Sequence, residues 1–241
     1  MMQKITLLLT ACVNPQGMSY TALNDPAQRL QQYIDAIKFY IEETSVNIVV
    51  VENTRYDLSK YFPSSNRLEF LSFYGNDYDK TLGKGYGEAL IFDYAMTHSI
   101  LLRNSEAICK ITGRNKVLDI ANRLKTYEAI REKVIAGVDI KRKFVGAKCI
   151  CCPTIFWKEY FLVNKSLIND SKHSYFENVL YSSLKEWIKD GHRLSLIVTP
   201  IPIKGVSGTS AKELSMPFTV YLKCICGAFI LNLYYKIFNR I

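Results

Sequence analysis

The chain has 241 residues, of which 49% are hydrophobic and 22% charged, with 12 glycines and 7 prolines. This composition excludes disordered, collagen-like and low-complexity chains, and the length suits one large domain or two small ones. The 31 basic residues exceed the 22 acidic ones, giving a formal charge of +9. That balance favours an anionic partner: a nucleotide diphosphate, a nucleic acid or an anionic membrane surface.

The first half of the chain alternates between predicted strands and helices. In chain order these are a strand at Ile5–Val13, a helix that begins at Pro26 with Asp25 as N-cap, strands at Val46–Val51 and Leu68–Phe73, a helix at Glu88–His98, and a strand at Ala107–Thr112. The order predicts an α/β fold with an open, mostly parallel sheet flanked by helices, whose ligand binds at the carboxyl ends of the strands. The polar strand ends at 10–15, 52–55 and 112–115 are therefore expected to face one crevice.

The second half is less regular. Its predicted elements are a helix at Asp119–Ala136, a strand at Ala147–Cys152, an amphipathic aromatic segment at Phe156–Leu162, a helix at Ser174–Lys189, and a strand at Leu194–Ile203 that leads into the loop Gly205–Ser210. The Ser174–Lys189 helix has one apolar stripe, and Glu177 follows Ser174 by three residues, the spacing of a capping box.

The C-terminal segment differs in composition from the rest. The apolar and aromatic stretch Pro217–Ile241 contains Lys223, Lys236 and Arg240 and no acidic residue. Its longest uncharged run, Cys224–Tyr235, has 12 residues, short of the ~20 that cross a bilayer. We expect an apolar tail helix lying in the headgroup region of a membrane, and the alternative is a final helix packed on the core.

The cysteines and the N-terminus predict the compartment. The seven cysteines are odd in number and lie mostly in apolar runs, which disfavours a disulfide framework and favours a reducing cytosol. Cys149–Cys152 and Cys224–Cys226 lack zinc-site spacing, so buried core thiols are expected. The run Ile5–Val13 is short and ends at Asn-Pro rather than at a signal-peptide cleavage site. Together these features predict a cytoplasmic protein.

A Gly-rich segment, Gly83–Glu88, precedes the second predicted helix. Its glycines permit close backbone approach, Lys84 supplies positive charge, and free N–H groups at a helix start favour an anion. The segment matches neither the P-loop nor the Rossmann fingerprint. Two interpretations stay open: a phosphate or sugar contact, and an ordinary loop that enters a helix.

Lys110 lies inside a strand that is otherwise composed for burial, and Arg114 follows the end of that strand. A buried lysine is unfavourable unless it meets an opposite charge. A bound diphosphate that faces both cations is one explanation. The alternative is that Lys110 reaches solvent from an edge strand.

Several segments, in this order, resemble small bacterial GT-A-like glycosyltransferases of surface-polysaccharide (O-antigen or capsule) biosynthesis. They are a strand that ends VVVENT, then GKGYGEALIFDYA, ICKITGR, YFENVLYSSL and the late GVSGTS. The resemblance covers roughly residues 3–213. It implies a GT-A-like domain at 1–213, with a nucleotide-binding half at 1–115 and an acceptor half at 116–213, followed by a membrane-associating tail at 214–241.

The resemblance implies an enzyme that transfers a sugar from a nucleotide-diphosphate sugar to a lipid-linked oligosaccharide acceptor, at the inner face of the cell membrane. Together with the Gly-rich segment and the late loop, it places donor contacts at Thr10, Asn14, Glu52, Asn53, Lys84, Gly85, Lys110, Thr112, Arg114 and Ser207. Glu177 occupies the position of the base with which inverting members take the acceptor proton. The alternative is that Glu177 only caps its helix.

The sequence departs from the family at the metal site. Common members have Asp-x-Asp where this chain has Lys110–Arg114, and the Asp77-x-Asp79 of this chain comes before the Gly-rich segment. Two fixed cations would neutralise the leaving diphosphate, which a metal otherwise does. No cofactor is therefore expected, and metal dependence is in question.

Two other functions stay open. One is a sugar-phosphate nucleotidyltransferase, a class that also uses a Gly-rich loop and lysines, although here the Gly-rich segment follows the second strand rather than the first. The other is a basic module that binds a membrane or RNA without catalysis. The tyrosines and phenylalanines lie mostly at core spacing, which argues against an exposed basic and aromatic surface and hence against a nucleic-acid partner.

Overall fold

The computed structural model describes residues 5–18, 21–129, 133–197, 200–214 and 218–238. The strands within these ranges are β1 (Ile5–Ala11), β2 (Asn47–Glu52), β3 (Leu68–Ser72), β4 (Ala107–Thr112), β5 (Lys116–Val117), β6 (Lys133–Ala136), β7 (Val138–Asp139), β8 (Phe144–Val145), β9 (Cys149–Pro153), β10 (Arg193–Leu196) and β11 (Ile203–Lys204). Seven of them form one sheet in the order β10-β6-β9-β4-β1-β2-β3. The short strands pair separately, β5 with β11 and β7 with β8.

The helices lie on both faces of this sheet. They are α1 (Pro26–Glu43), α2 (Lys84–His98), α3 (Ile100–Arg103), α4 (Ile120–Ala129), α5 (Phe176–Lys189) and α6 (Phe218–Phe238), with 3-10 turns at Ser59–Tyr61, Lys80–Leu82, Leu162–Leu167 and Asp170–Lys172 and a π-helical turn at Phe156–Phe161. Side chains of α2 and α5 pack in one apolar cluster, and those of α1 and α4 pack in another. Along β1, Leu8 faces the first cluster, and Leu7 and Leu9 face the second, as the alternation of side chains along a strand requires.

The predicted α/β architecture is confirmed. All seven residues of β1 are buried, as expected for a central parallel strand covered on both faces. β1 pairs in parallel with β2 and β4, and β9 is antiparallel to β4. The predicted start of α1 is also confirmed, because Asp25 accepts a hydrogen bond from the backbone N–H of Ala27 at 2.9 Å.

Two predicted elements of the second half are wrong in type or length. The expected helix Asp119–Ala136 is a helix only as far as Ala129, and its end forms β6, which pairs with β9 and β10. A short apolar run does not distinguish a strand from a buried helix end. The expected strand Leu194–Ile203 ends as β10 at Leu196. Pro200 and Pro202 have no backbone N–H group to donate to a neighbouring strand. Residues 198–199 lie outside the described part of the chain.

The starts of two helices also differ from the prediction. α2 begins at Lys84 instead of Glu88, so most of the Gly-rich segment is its first turn. α5 begins after Tyr175, and neither Ser174 nor Glu177 caps it. The cap is formed by Tyr175 and by Asn178, whose side chain accepts from the backbone N–H of Tyr175 at 3.2 Å.

The predicted apolar tail helix is present as α6, while its predicted start at Pro217 and residues 239–241 lie outside the described residues. Leu222, Phe229, Ile230 and Leu233 on α6 are between 46% and 67% exposed, and Leu231 packs against the α2–α5 cluster. No helix in the described ranges combines the length and apolarity that crossing a membrane requires.

The expectation of buried thiols holds for four of the seven cysteines, Cys109, Cys149, Cys151 and Cys152. It is wrong for Cys224 and Cys226, which are exposed on α6, and Cys12 is partly buried. The difference arises because apolar neighbours in sequence bury a thiol only when the segment itself is packed.

Candidate functional site

A cleft opens where the carboxyl ends of β1, β2 and β4 meet. Its volume is ≈ 280 Å³, and Thr10, Asn53 and Thr112 line it, one from the end of each strand. Because the three strands are parallel neighbours, their last residues reach the same edge of the sheet. The expectation that these strand ends face one crevice is confirmed.

Nine of the eleven predicted site residues line this cleft: Thr10, Asn53, Lys84, Gly85, Lys110, Thr112, Arg114, Glu177 and Ser207. They come from three strands, from the starts of α2 and α5, and from the loop after β11. The structure thus brings together residues that are up to 197 positions apart in the sequence.

Glu52 and Asn14 are the two predicted residues that do not line the cleft. The buried carboxylate of Glu52 accepts hydrogen bonds from the backbone N–H groups of Val13, Thr54 and Tyr56 at 2.8–2.9 Å. The backbone N–H of Asn14 donates to Thr54 Oγ1 at 3.4 Å. These contacts connect the end of β1 to the end of β2, so Glu52 shapes the rim of the cleft instead of facing its interior.

Lys110 is buried and forms an ion pair with Glu88 of α2. Its Nζ lies 2.7 Å from Glu88 Oε1 and donates to the carbonyl oxygen of Ala147. Thr10 Oγ1 donates to the same oxygen of Glu88 at 2.9 Å. Because β4 is an interior strand, the alternative that Lys110 reaches solvent from a sheet edge is wrong. Glu88, which the sequence analysis did not select as a site residue, supplies the opposite charge that a buried lysine requires.

Glu177 lies in the first turn of α5, near this ion pair. Burial raises the pKa of its carboxyl above the ordinary 4.5; its own backbone N–H lowers it, Glu88 raises it, and Lys110 and Lys84 lower it. The capping role that was the alternative interpretation belongs to other residues. A carboxyl with a raised pKa inside a cleft is suited to general-base catalysis.

The start of α2 is occupied by a carboxylate of the protein itself. Asp170 accepts hydrogen bonds from the backbone N–H groups of Lys84 and Gly85, and burial raises the pKa of Asp170. Gly83 has φ +82°, and a Cβ there would lie 2.0 Å from Asp170 Oδ2. The glycine therefore permits the close approach of Asp170 to α2. A phosphate that bound these N–H groups would first have to displace Asp170.

Residues 205–214 form a hairpin that covers one side of the cleft. An antiparallel β-bridge between Val206 and Glu213 holds the two arms of this hairpin together. Arg114 Nη1 donates to the carbonyl oxygen of Val206 at 2.7 Å, and Lys84 Nζ donates to Thr209 Oγ1. A Cβ on Gly208 would lie 2.5 Å from Arg114 Nη2. The absence of a side chain at this position thus lets the guanidinium lie against the backbone of the 205–214 hairpin.

Arg29 and Tyr33, one turn apart on α1, also line the cleft, and the sequence analysis did not select them. Arg29 is 6% exposed. It donates from Nε to the carbonyl oxygen of Cys12 at 2.7 Å, from Nη1 to that of Leu23 at 3.0 Å, and from Nη2 to Tyr33 Oη at 3.3 Å. One sequence signal was available, because Arg29 precedes Tyr33 of the apolar stripe by four residues and therefore shares its helix face.

Asn53 and Asn115 each bury the side-chain oxygen Oδ1 without a hydrogen-bond donor in the described part of the chain. Both residues are 3% exposed and line the cleft. A buried acceptor without a donor costs about 1–3 kcal/mol, and a donor group of a bound ligand or a water molecule would remove that cost. Asn115 belongs to the polar strand end 112–115 but was not selected individually.

The residues at the end of β4, where the family that the sequence resembles has Asp-x-Asp, do not suit a divalent cation. The end of β4 presents the cations Lys110 and Arg114, and the nearby carboxylate of Glu88 is paired with Lys110. Asp77 and Asp79 are exposed and lie outside the lining, and Asp79 accepts the backbone N–H of Thr81. Over the described ranges, no three His, Cys, Asp or Glu side chains are grouped so that they could hold a metal ion.

No protein-family model and no curated protein sequence matches this chain. Among solved structures, a nucleotidyl transferase from Methanothermobacter aligns with 95% of this chain and 99% of its own at a TM-score of 0.51 and 12% identity. The mannosyltransferase Ktr4p from S. cerevisiae aligns with 83% of this chain and 70% of its own, at a TM-score of 0.45 and 9% identity. The bifunctional glycosyltransferase WbbM aligns with 95% of this chain and 44% of its own, at a TM-score of 0.46 and 13% identity. The chain has a GT-A-like α/β fold, with a mostly parallel sheet flanked by helices as in the nucleotidyl transferase that aligns at a TM-score of 0.51.

Proposed function

We propose that this chain is a glycosyltransferase that moves a sugar from a nucleotide-diphosphate sugar to a hydroxyl group of a lipid-linked oligosaccharide. The observation on which this rests is the composition of one cleft, which combines cationic side chains, buried acceptors without donors, and a carboxyl group with a raised pKa. A nucleotide-diphosphate sugar offers the complementary groups: an anionic diphosphate, N–H and O–H donors on the nucleoside, and an anomeric carbon that a hydroxyl can attack.

The donor would lie along the carboxyl ends of β1, β2 and β4. Asn53 and Asn115 would accept hydrogen bonds from the base or the ribose through their unpaired Oδ1 atoms. Arg114 and Lys84 would neutralise the diphosphate. Lys110 would contribute less charge than an unpaired lysine, because it shares its charge with Glu88 at 2.7 Å. In this assignment residues 1–115 bind the nucleotide and residues 116–213 supply the base and the acceptor contacts.

Glu177 would act as the general base in a single displacement. The acceptor hydroxyl gives its proton to the Glu177 carboxylate, while the acceptor oxygen forms a bond to the anomeric carbon. The bond from that carbon to the diphosphate oxygen breaks, and the nucleoside diphosphate leaves with the electron pair. Positive side chains that already face the leaving oxygen stabilise its developing charge without reorganisation. No step in this scheme requires a metal ion.

The proposed acceptor and location are supported by α6. Its exposed apolar side chains, among them Phe229 and Ile230, together with its lysines and the absence of acidic residues, suit a helix that lies in the headgroup region of an anionic membrane. An enzyme held there would meet a lipid-linked acceptor. A role in bacterial surface-polysaccharide synthesis, at the inner face of the cell membrane, agrees with the family that the sequence resembles.

The test is to incubate the purified full-length chain with a panel of nucleotide sugars and lipid-linked acceptors, and to measure nucleoside diphosphate release and sugar incorporation. We expect diphosphate release that depends on the acceptor. A parallel reaction with pyrophosphate distinguishes the other enzyme class, because a nucleotidyltransferase would return a nucleoside triphosphate and a sugar phosphate. Retention of RNA with no turnover of any nucleotide sugar would instead favour a non-catalytic basic module.

A further inference from the structure

Two arginines that line the cleft, Arg29 and Arg114, have no acidic partner within the described ranges. The ion pairs recorded there, within 4.0 Å, do not include either guanidinium. The other buried cation of the cleft, Lys110, is paired with Glu88, and the start of α2 beside Lys84 is covered by the carboxylate of Asp170. Lys84 and Lys148 also line the cleft but are exposed. Among the buried and half-buried cations of the cleft, Arg29 and Arg114 are therefore the two without an ion pair in the described ranges.

The two guanidinium groups are close enough to affect each other. Burial lowers the pKa of Arg114, Tyr33 raises it, the positive charge of Arg29 lowers it, and Glu88 and Cys12 raise it. Arg29 itself is only 6% exposed. Like charges at a buried and a half-buried position are unfavourable without a counter-charge, and Glu88, which acts on Arg114, is already paired with Lys110. An anion that binds between the two guanidinium groups would supply a counter-charge.

The hydrogen-bond donors support the same conclusion. A guanidinium has five N–H donors. Arg29 gives three to Cys12, Leu23 and Tyr33, and Arg114 gives one, to Val206. Both side chains keep further N–H groups for which the described residues supply no acceptor. Phosphate oxygens are acceptors whose geometry fits the guanidinium fork.

We propose that Arg29 and Arg114 together bind the diphosphate of the donor, in the part of the cleft between the end of β1 and the 205–214 hairpin. This assignment rests on the proposed function and makes Arg29 a donor-binding residue. In this arrangement the diphosphate does not need the backbone N–H groups of Lys84 and Gly85, which Asp170 already occupies. The 205–214 hairpin would then hold Arg114 in place through Val206.

The experiment compares binding of inorganic pyrophosphate with binding of uridine, cytidine and guanosine, by calorimetry on the full chain. The variants are Arg29→Gln, Arg29→Lys and Arg114→Gln. Arg67→Gln is the matched control, because Arg67 also donates to two backbone carbonyls, those of Val46 and Ile41, but lies outside the cleft lining.

We expect pyrophosphate affinity to fall by about 10- to 100-fold in Arg29→Gln and Arg114→Gln, the size of a lost charge-assisted hydrogen bond. Nucleoside affinity should change by less than about twofold, and Arg67→Gln should bind pyrophosphate like the wild type. Arg29→Lys keeps the charge and should show a smaller loss. If Arg29→Gln does not fold, Arg29→Lys and Arg114→Gln decide the question by the same comparison.

Pyrophosphate binding that is unchanged in the folded Arg29 variants, or absent in the wild type, overturns the assignment. So does a loss of pyrophosphate and nucleoside binding in equal measure, because that pattern indicates a general distortion of the cleft. The transfer assay distinguishes a failure of the anion site from a failure of the proposed glycosyltransferase activity. Selective loss of pyrophosphate binding without any sugar transfer leaves the anion site standing and rejects the glycosyltransferase, whereas transfer at an unchanged donor KM in both arginine variants rejects the anion site alone.

Discussion

Replacement of Glu177 by glutamine tests the proposed general base with little change to the fold. Glutamine has nearly the same shape, and the cap of α5 is made by Tyr175 and Asn178, which the substitution leaves in place. Loss of the proton acceptor should lower kcat by ~10²–10⁴-fold, equivalent to about 2.7–5.4 kcal/mol in the activation free energy. The donor KM should change little, because the base contacts the acceptor rather than the diphosphate.

The raised pKa of Glu177 gives this prediction a pH dependence. A protonated carboxyl cannot accept the proton, so kcat of the wild type should fall as the pH decreases through this pKa, at a higher pH than for an ordinary glutamate. The native state also binds this proton more tightly than the unfolded chain does, so the contribution of Glu177 to stability rises as the pH falls through its native pKa. Glu177→Gln should therefore be at least as stable as the wild type at pH 8.

The assay is the initial rate of nucleoside diphosphate release at saturating donor, measured across pH, with thermal unfolding of each variant in parallel. Glu186→Gln is the matched control, since Glu186 lies on the exposed side of the same helix and should retain full activity. Turnover of folded Glu177→Gln near that of the wild type would refute the reasoning, because an amide cannot take the acceptor proton as a general base does.

Further predictions concern the cations, the metal, the tail and a turn. Arg114→Ala should weaken nucleoside diphosphate binding by about 1.5–3 kcal/mol in calorimetry. Lys110→Ala should also lower the unfolding temperature, because it leaves the carboxylate of Glu88 without its ion-pair partner. Activity should persist in EDTA, and strict loss that Mn²⁺ restores would contradict the cationic mechanism. Truncation after Leu214 should abolish flotation with anionic liposomes, and a full-length chain that never floats at low or high salt would refute the membrane assignment. Gly83→Ala should lower the free energy of unfolding by about 1–3 kcal/mol in chemical denaturation, because φ at this position is +82° and a Cβ would collide with Asp170. Unchanged stability would argue against the close approach of Asp170 to the start of α2.

Local sequence signals were sufficient where a single segment decides its own structure. The uninterrupted apolar runs of β1 and β2 and the Asp25-Pro26 start of α1 are examples, because burial on both faces and side-chain capping are visible within a few residues. The helix predicted for Asp119–Ala136 failed at its end, where the final residues are a strand only because β9 and β10 lie beside them. The partner of the Gly-rich segment was equally invisible in the sequence, because its N–H groups are bound by Asp170, which lies 86 residues beyond Lys84.

The α/β class, the central strands and the polar residues at their carboxyl ends could all be predicted from the sequence, because hydrophobic runs and the order of the strands define these features locally. The pairing of the charges could be seen only in the folded structure. Lys110 of β4 forms an ion pair with Glu88 of α2. Glu52 accepts backbone hydrogen bonds that connect β1 and β2. Arg29 is buried in the cleft without an acidic partner in the described ranges. Ion pairing and desolvation depend on distances of a few ångströms between segments far apart in the chain, and a linear pattern does not contain those distances.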